Sequence, residues 1–129
     1  MNEVNVVAEL AEKENGFTLL ELLVVVAIIG VLVAIAIPQF SAYQQRSFDA
    51  RAKSDLITLA IAEEAYYTDN EAYKACASTS NCESILPNLS TSPGVTMAVA
   101  LGTEFFTATA AHPKGTSTYS WNSIAGGLQ

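Results

Sequence analysis

The sequence predicts an α+β fold, in which one long N-terminal helix packs through its second half on a C-terminal antiparallel meander of three to four strands. Phe17–Ile37 is an apolar run of helical length, and Asp49–Tyr67 is rich in Ala, Leu, Glu and Lys without Gly or Pro. After residue 94, apolar residues alternate with smaller ones, which is the period of a strand. The 129 residues suffice for one ordinary domain.

The composition excludes two classes of protein. Half of the residues are apolar, only 15% are charged, and the net charge is −7. A disordered acidic tail lacks apolar residues, so the chain is not of that class. Six Lys and Arg residues spread along the chain form no basic patch, so no direct nucleic-acid site is evident.

The apolar segment, residues 17–37, has the length of a membrane span. As a helix its 21 residues would extend about 31 Å, the thickness of a bilayer's hydrocarbon core. A secretory signal would begin with basic residues and would carry its small-residue cleavage site after the apolar stretch, whereas Gly16 precedes it here. Leu22–Ile37, with no polar side chain, is too long for a core helix of so small a domain. A single-pass anchor fits the length but does not explain Glu21.

Glu21 is the one acid inside this apolar stretch. A carboxylate in lipid costs at least several kcal/mol unless it is paired or neutralised, so such residues are functional by default. The alternative is that Glu21 lies at headgroup level and only marks where the span begins.

The residues around Glu21 resemble a known family. Gly16–Glu21 (Gly-Phe-Thr-Leu-Leu-Glu), followed by the apolar segment and Pro38, resembles the class III leader and N-terminal helix of type IV pilins and pseudopilins. The resemblance implies that a prepilin peptidase cuts after Gly16 and methylates the new amine of Phe17. It also implies that Glu21 pairs with the Phe17 amine of a neighbouring subunit during assembly. The leader of sixteen residues is acidic, whereas leaders of the family are usually short and basic.

The resemblance divides the chain into three parts. Residues 1–16 would be the leader, residues 17–38 the membrane-spanning and polymerisation half of the helix, and residues 39–129 a globular head. Gly30 and Pro38 both weaken helices. They are tolerated in many membrane helices, but the resemblance implies that the segment between them loses helical structure in the assembled filament.

The head is predicted to contain the rest of the helix, ending near Asn70, a loop over 71–93 and a sheet over 94–123. Two apolar stripes lie on opposite sides of the helix, which suggests one surface for the sheet and one for neighbouring subunits. The first stripe contains Ala52, Leu56, Leu59 and Tyr66, and the second contains Ile57, Ile61 and Ala65. Three strands are expected at Val95–Leu101, Glu104–Ala111 and Thr116–Asn122, separated by turns that contain Gly102 and Gly115.

Cys76 and Cys82 are the only cysteines. They supply at most half of a structural zinc site, and the lone His112 is distant in sequence. Given the extracytoplasmic location that the resemblance implies, we expect a disulfide that stabilises the head by about 2 kcal/mol.

No catalytic constellation, cofactor motif or metal site is predicted. The chain has one His and no Gly-rich phosphate loop. The resemblance implies that the chain is a structural subunit of a type IV pilus, used for adhesion, motility or DNA uptake. Its expected partners are membrane lipid before assembly, the prepilin peptidase, the inner-membrane assembly machinery and further copies in a helical filament. It would move from the bacterial inner membrane to an extracellular pilus.

Two alternatives remain open. One is the major pseudopilin of a type II secretion system, which shares the N-terminal half but typically carries acidic calcium ligands in its C-terminal loops. Between residues 84 and 129, Glu104 is the only acid, which argues against this alternative. The other is a membrane-anchored binding domain, which would have no need for Gly16, Phe17 or Glu21.

Overall fold

A computed structural model of the chain describes residues 16–129, so the predicted leader, apart from Gly16, lies outside the described residues. The chain divides after Pro38 into two compact units. The elements are helices α1 (Leu19–Asn70) and α2 (Thr79–Ile85) and strands β1 (Thr96–Leu101), β2 (Phe106–Ala111), β3 (Thr118–Asn122) and β4 (Gly127–Leu128). One long helix followed by an antiparallel sheet confirms the predicted α+β class.

Helix α1 begins at Leu19, and its 52 residues include both helix-weakening positions. Pro38 lies inside the helix, and Gly30 has open space around the position of a Cβ atom. Pro lacks the N–H that would bond one turn back, but a single missing bond does not break a helix held by its neighbours. The loss of helix between Gly30 and Pro38 on assembly stays a prediction, because the structure is that of one chain.

The stretch 71–93, predicted as a loop, contains the short helix α2, so the prediction is wrong for Thr79–Ile85. Ser78 caps this helix, because its hydroxyl accepts from the N–H of Asn81. The Cys76–Cys82 disulfide, predicted from the sequence, links the residues just before α2 to its middle.

The sheet has the order β1-β2-β3-β4, and all its pairs are antiparallel. Its first three strands begin and end within two residues of the predicted ones. The fourth strand, Gly127–Leu128, lies beyond the predicted sheet, where it pairs with Trp121 and Asn122. Two residues give too short a pattern for period-two alternation to reveal.

The first predicted stripe of α1 forms the core of the head with the sheet. Ala52, Leu56 and Leu59 are fully buried, in one cluster with buried sheet residues that include Val99 and Phe106. The second stripe faces away from the core, with Ile57 39% and Ile61 65% exposed. The prediction of one face for the sheet and a second, uncovered face is thus confirmed within the head.

Three buried acids of α1 fasten three different loops to the helix; we call Asp49, Asp55 and Glu63 the carboxylate anchors. Asp49 accepts hydrogen bonds from the backbone N–H groups of Thr116 (2.8 Å) and Ser117 (3.0 Å) and from the Thr116 hydroxyl (2.8 Å). These bonds hold the β2–β3 turn against the helix.

The other two anchors hold the segments on either side of α2. Asp55 accepts from the backbone N–H (2.7 Å) and the hydroxyl (3.1 Å) of Ser92. Glu63 accepts at Oε2 from the N–H of Lys74 (3.0 Å), while its buried Oε1 has no hydrogen-bond partner. Backbone amides in loops need partners when they are buried, and these carboxylates supply them.

The surroundings shift the pKa of two anchors in opposite directions. The hydrogen bond from the Thr116 hydroxyl is the main cause that lowers the pKa of Asp49 below its ordinary value. Burial raises the pKa of Glu63, because its ionised form is desolvated and has only one donor. The Asp49 contribution to stability is therefore present above the ordinary Asp pKa and lost as the pH falls. The Glu63 contribution is largest in acid and is lost as the pH rises through its raised pKa.

Glu63→Gln is expected to raise the melting temperature of the head at pH 7 and to leave it nearly unchanged near pH 4, where Glu63 is already protonated. The physical reason is that the amide avoids burial of an ionised, half-satisfied carboxylate. The measurement is thermal unfolding of the full chain in detergent, followed by the fluorescence of Trp121, the single tryptophan.

Asp69→Asn is the matched control, because Asp69 is an exposed acid on the same helix. A Glu63→Gln variant that melts lower than the parent at pH 7 would contradict the assignment of Glu63 as a destabilising buried charge.

Candidate functional site

The candidate site lies at the first turn of α1. Gly16 and Phe17 precede the helix, and the side chain of Phe17 is 92% exposed. Phe17 and Glu21 line the same groove, together with Leu20 and Val24. The structure thus places the predicted cleavage and methylation residues beside the predicted assembly residue.

Glu21 is held by Thr18, the residue that immediately precedes the helix. The Thr18 hydroxyl accepts a hydrogen bond from the N–H of Glu21 (3.1 Å). In return Glu21 Oε2 accepts from the N–H (2.8 Å) and the hydroxyl (2.9 Å) of Thr18. This reciprocal arrangement is a capping box, which satisfies two of the backbone donors that a helix N-terminus leaves without partners.

The capping box gives Glu21 a second role that the sequence analysis missed. The sequence signal is Thr18-Leu19-Leu20-Glu21, a Thr followed three residues later by Glu directly before an apolar run.

Within residues 16–129, the capping box leaves Oε1 of Glu21 without a hydrogen bond. All its side-chain bonds to Thr18 use Oε2, and the carboxylate can accept further donors at Oε1. An ionised carboxylate that is fixed in position and half-coordinated is well suited to accept a cationic amine from outside the chain.

Beyond Glu21, the helix offers an uninterrupted apolar surface. Among the described residues 16–129, α1 is the one helix long and apolar enough to cross a membrane, by its length and composition. The large side chains of the apolar segment are exposed, from Val33 at 44% to Phe17 at 92%.

The remaining predicted residues lie elsewhere. Gly30 and Pro38 are inside α1, and the Cys76–Cys82 disulfide belongs to the head. Within residues 16–129, no three His, Cys, Asp or Glu side chains are grouped as they would be to hold a metal ion.

The segment that contains this site matches a known protein family. The family described as "Prokaryotic N-terminal methylation motif" matches residues 13–37, which contain Gly16, Phe17, Thr18 and Glu21. The match supports the resemblance to type IV pilins at the segment where the sequence analysis placed it.

Curated relatives resemble about half of the chain. The type IV major pilin protein PilA of Myxococcus xanthus is 46% identical over 61 residues, which are 47% of this chain and 28% of that protein. The type IV major fimbrial protein FimA of Dichelobacter nodosus is 46% identical over 63 residues, which are 49% of this chain and 40% of that protein. The type II secretion system core protein G of Escherichia coli is 39% identical over 62 residues, 48% of this chain and 43% of that protein. The aligned segments thus span less than half of each relative.

Thr18→Val is expected to weaken the first turn of α1, because it removes the hydroxyl that bonds both the N–H and the carboxylate of Glu21. Loss of such a cap costs about 1 kcal/mol, so amide exchange in the first turn should accelerate roughly fivefold. The measurement is hydrogen exchange of the full chain in detergent micelles. Thr18→Ser, which keeps the hydroxyl, should exchange like the parent, and equal rates in the Val variant would contradict the capping role.

Proposed function

We propose that this chain, which carries the N-terminal segment of a type IV pilin, is a structural subunit that polymerises into a type IV pilus filament. The observation that carries the proposal is the site at residues 16–21, where a methylation motif, an exposed Phe17 and a half-coordinated Glu21 precede an uncovered apolar helix. The role is structural rather than catalytic.

The proposed sequence of events begins in the membrane. The apolar segment anchors the precursor in the inner membrane, because its exposed side chains match the thickness and polarity of the hydrocarbon core. The prepilin peptidase then cuts between Gly16 and Phe17 and methylates the new amine. The mature chain then begins at Phe17.

Assembly follows from the charges at the new N-terminus. Cleavage turns the Phe17 nitrogen into a cationic amine, and the free Oε1 of a neighbour's Glu21 is a matching acceptor. In lipid or in a packed bundle of apolar helices, an isolated charge of either sign is costly, whereas the pair is not. Correct addition of a subunit by the assembly machinery therefore neutralises two charges at once, and the filament then extends from the cell.

A second candidate function is that of a pseudopilin of a type II secretion system. Its support is the similarity to core protein G, which is comparable in length to the similarity to the pilins. Cryo-electron microscopy of material sheared from cells separates the two functions. Long surface filaments made of this chain support the pilus, and their absence while a secreted enzyme depends on this chain supports the pseudopilin.

Processing is expected to remove residues 1–16 and to add one methyl group to Phe17. Intact-mass analysis of the mature protein is the measurement. Gly16→Ala is the informative variant, because it enlarges the residue at the cut, and it should accumulate as the full-length precursor. A mature chain that retains Met1, or one cut after Ile37, would contradict the proposal.

Glu21→Ala is expected to leave the protein in the membrane and the head folded, but to lower the yield of filaments at least tenfold. Removal of a carboxylate does not harm insertion, whereas it deprives the incoming amine of its partner. Sheared filaments and membrane-bound protein are quantified side by side. Glu21→Asp is the matched control, since it keeps the charge and should assemble better than Glu21→Ala. If Glu21→Ala gave as many sheared filaments as wild type, the assembly role of Glu21 would be contradicted and only its capping role would stand.

A further inference from the structure

One end of the head exposes a group of four cationic side chains. This basic end is formed by Arg46, Arg51 and Lys53 on α1 and Lys114 in the β2–β3 turn, all of them exposed. The acids on the same stretch of helix, Asp49 and Asp55, are buried and bonded to the backbone of Thr116, Ser117 and Ser92. The carboxylate anchors therefore leave the surface here to the cations.

Two of these cations already lie over an aromatic ring. The guanidinium carbon of Arg51 is 5.5 Å and the Lys114 ammonium is 5.8 Å from the ring centroid of Phe48. Such distances allow a cation–π attraction, which is strongest where the cation is removed from water.

The other end of the head carries a cleft of about 630 Å³ that is both aromatic and acidic. This acidic cleft is lined by the rings of Tyr67, Tyr73 and Phe105 and by the carboxylates of Glu71 and Glu104. The rings of Tyr67 and Tyr73 stack at 4.6 Å between centroids, so the aromatic wall is preformed. The ring of Phe105 lies over Gly102, where a Cβ atom would clash with it.

The negative charge at the acidic cleft has little cationic compensation within the head. The last turn of α1 contains no basic residue, although the C-terminus of a helix favours cations. Lys74 is the single Lys or Arg between residues 54 and 113. Exposed Glu64 lies next to the cleft, where its carboxylate accepts from the Tyr73 hydroxyl at 3.3 Å. Aromatic faces flanked by carboxylates are suited to an ammonium or guanidinium group.

The basic end and the acidic cleft lie at opposite ends of the head. Along α1, about 18 residues separate Asp49 from Tyr67, which corresponds to about 27 Å. The β2–β3 turn is fastened to the helix at Asp49, whereas the β1–β2 turn, at Gly102 and Glu104, borders the cleft beside Tyr67. In a filament of identically oriented subunits, the acidic cleft of one head therefore faces the basic end of another.

We propose that the acidic cleft of one head binds the basic end of a second copy of this chain, with the Lys114 ammonium entering between the Tyr67–Tyr73 wall and Glu104. Lys114 is suited to this because it lies at an exposed turn and its long flexible stem reaches beyond the turn. The inference rests on the proposed function, since it assigns a head-to-head contact within the polymer. It adds to the apolar helix a polar contact that fixes which heads are neighbours.

Charge exchange in the full chain tests the proposal. Glu104→Lys and Lys114→Glu are each expected to lower the yield of sheared filaments at least tenfold, because each places like charges at the contact. The double variant Glu104→Lys with Lys114→Glu restores the opposite charges and is expected to assemble within about threefold of wild type. Ser90→Lys, which adds a lysine to another exposed loop, is the control and is expected to assemble normally. Membrane levels and an intact Cys76–Cys82 disulfide report that each variant has folded.

Cysteine cross-linking supplies a second measurement that does not depend on the charge variants. A chain with Glu104→Cys and Lys114→Cys is expected to form a ladder of covalent multimers when filaments are oxidised. Within one head the two positions lie beyond opposite ends of β2, whose six residues span about 20 Å, so they cannot join each other. Each single-cysteine chain gives no ladder beyond a dimer.

The outcomes separate this proposal from the function on which it rests. Absence of wild-type filaments would contradict the proposed function itself. Abundant wild-type filaments, together with single charge variants that assemble normally, would overturn the head contact alone. Single variants that fail without rescue by the double variant, or oxidised filaments without a ladder, would also overturn it.

Discussion

The apolar side chains of residues 17–37 are exposed, and the proposed function follows from their need for a covering. Every large side chain from Phe17 to Ile37 is at least 44% exposed. At about 25 cal/mol per Å² of apolar surface, exposure of so many side chains to water is prohibitive. Lipid tails and the apolar helices of other copies both satisfy the requirement. Because the hydrophobic effect hardly distinguishes the two, the proposed transfer from membrane to filament must be directed by something polar.

In the proposed assembly, Glu21 supplies this polar discrimination, and its bonds with Thr18 hold it in position. A carboxylate at the start of an apolar helix would be unstable in lipid if it were unpaired. The capping box reduces this cost in the single chain, since Oε2 accepts two donors from Thr18. It also fixes the carboxylate in place and leaves Oε1 for an incoming amine. Glu21 thus caps the helix in the single chain, and in the proposed assembly the same side chain is the acceptor for the amine.

Most of the fold was predictable from regular periodicity, whereas individual polar contacts were not predictable from the sequence. The three long strands follow from alternation, and the buried stripe of α1 follows from the spacing of Ala52, Leu56 and Leu59. Helix α2 was missed because its seven residues depend on one cap, Ser78, and on the neighbouring disulfide rather than on an apolar face. The bonds of Asp49 to Thr116 and Ser117 join residues 67 and 68 positions apart, which no local pattern encodes. The candidate site was largely predictable because its parts lie within six residues of sequence.

The burial of acids on α1 affects both the stability of the head and the charge of its surface. At residues 49–55 the acids turn inward to bond loop amides, so the neighbouring arginines and lysines dominate the exterior. Toward the C-terminus the pattern reverses, since Glu64 and Glu71 are exposed while few cations are present. Glu63, between the two, is buried with one oxygen unsatisfied. A head built in this way has opposite charges at its two ends. Repetition of the same head along one direction brings those charges together, whereas an inverted neighbour brings like charges together. The proposed pairing of Glu21 with the Phe17 amine and the proposed contact between heads each favour neighbours that point in the same direction.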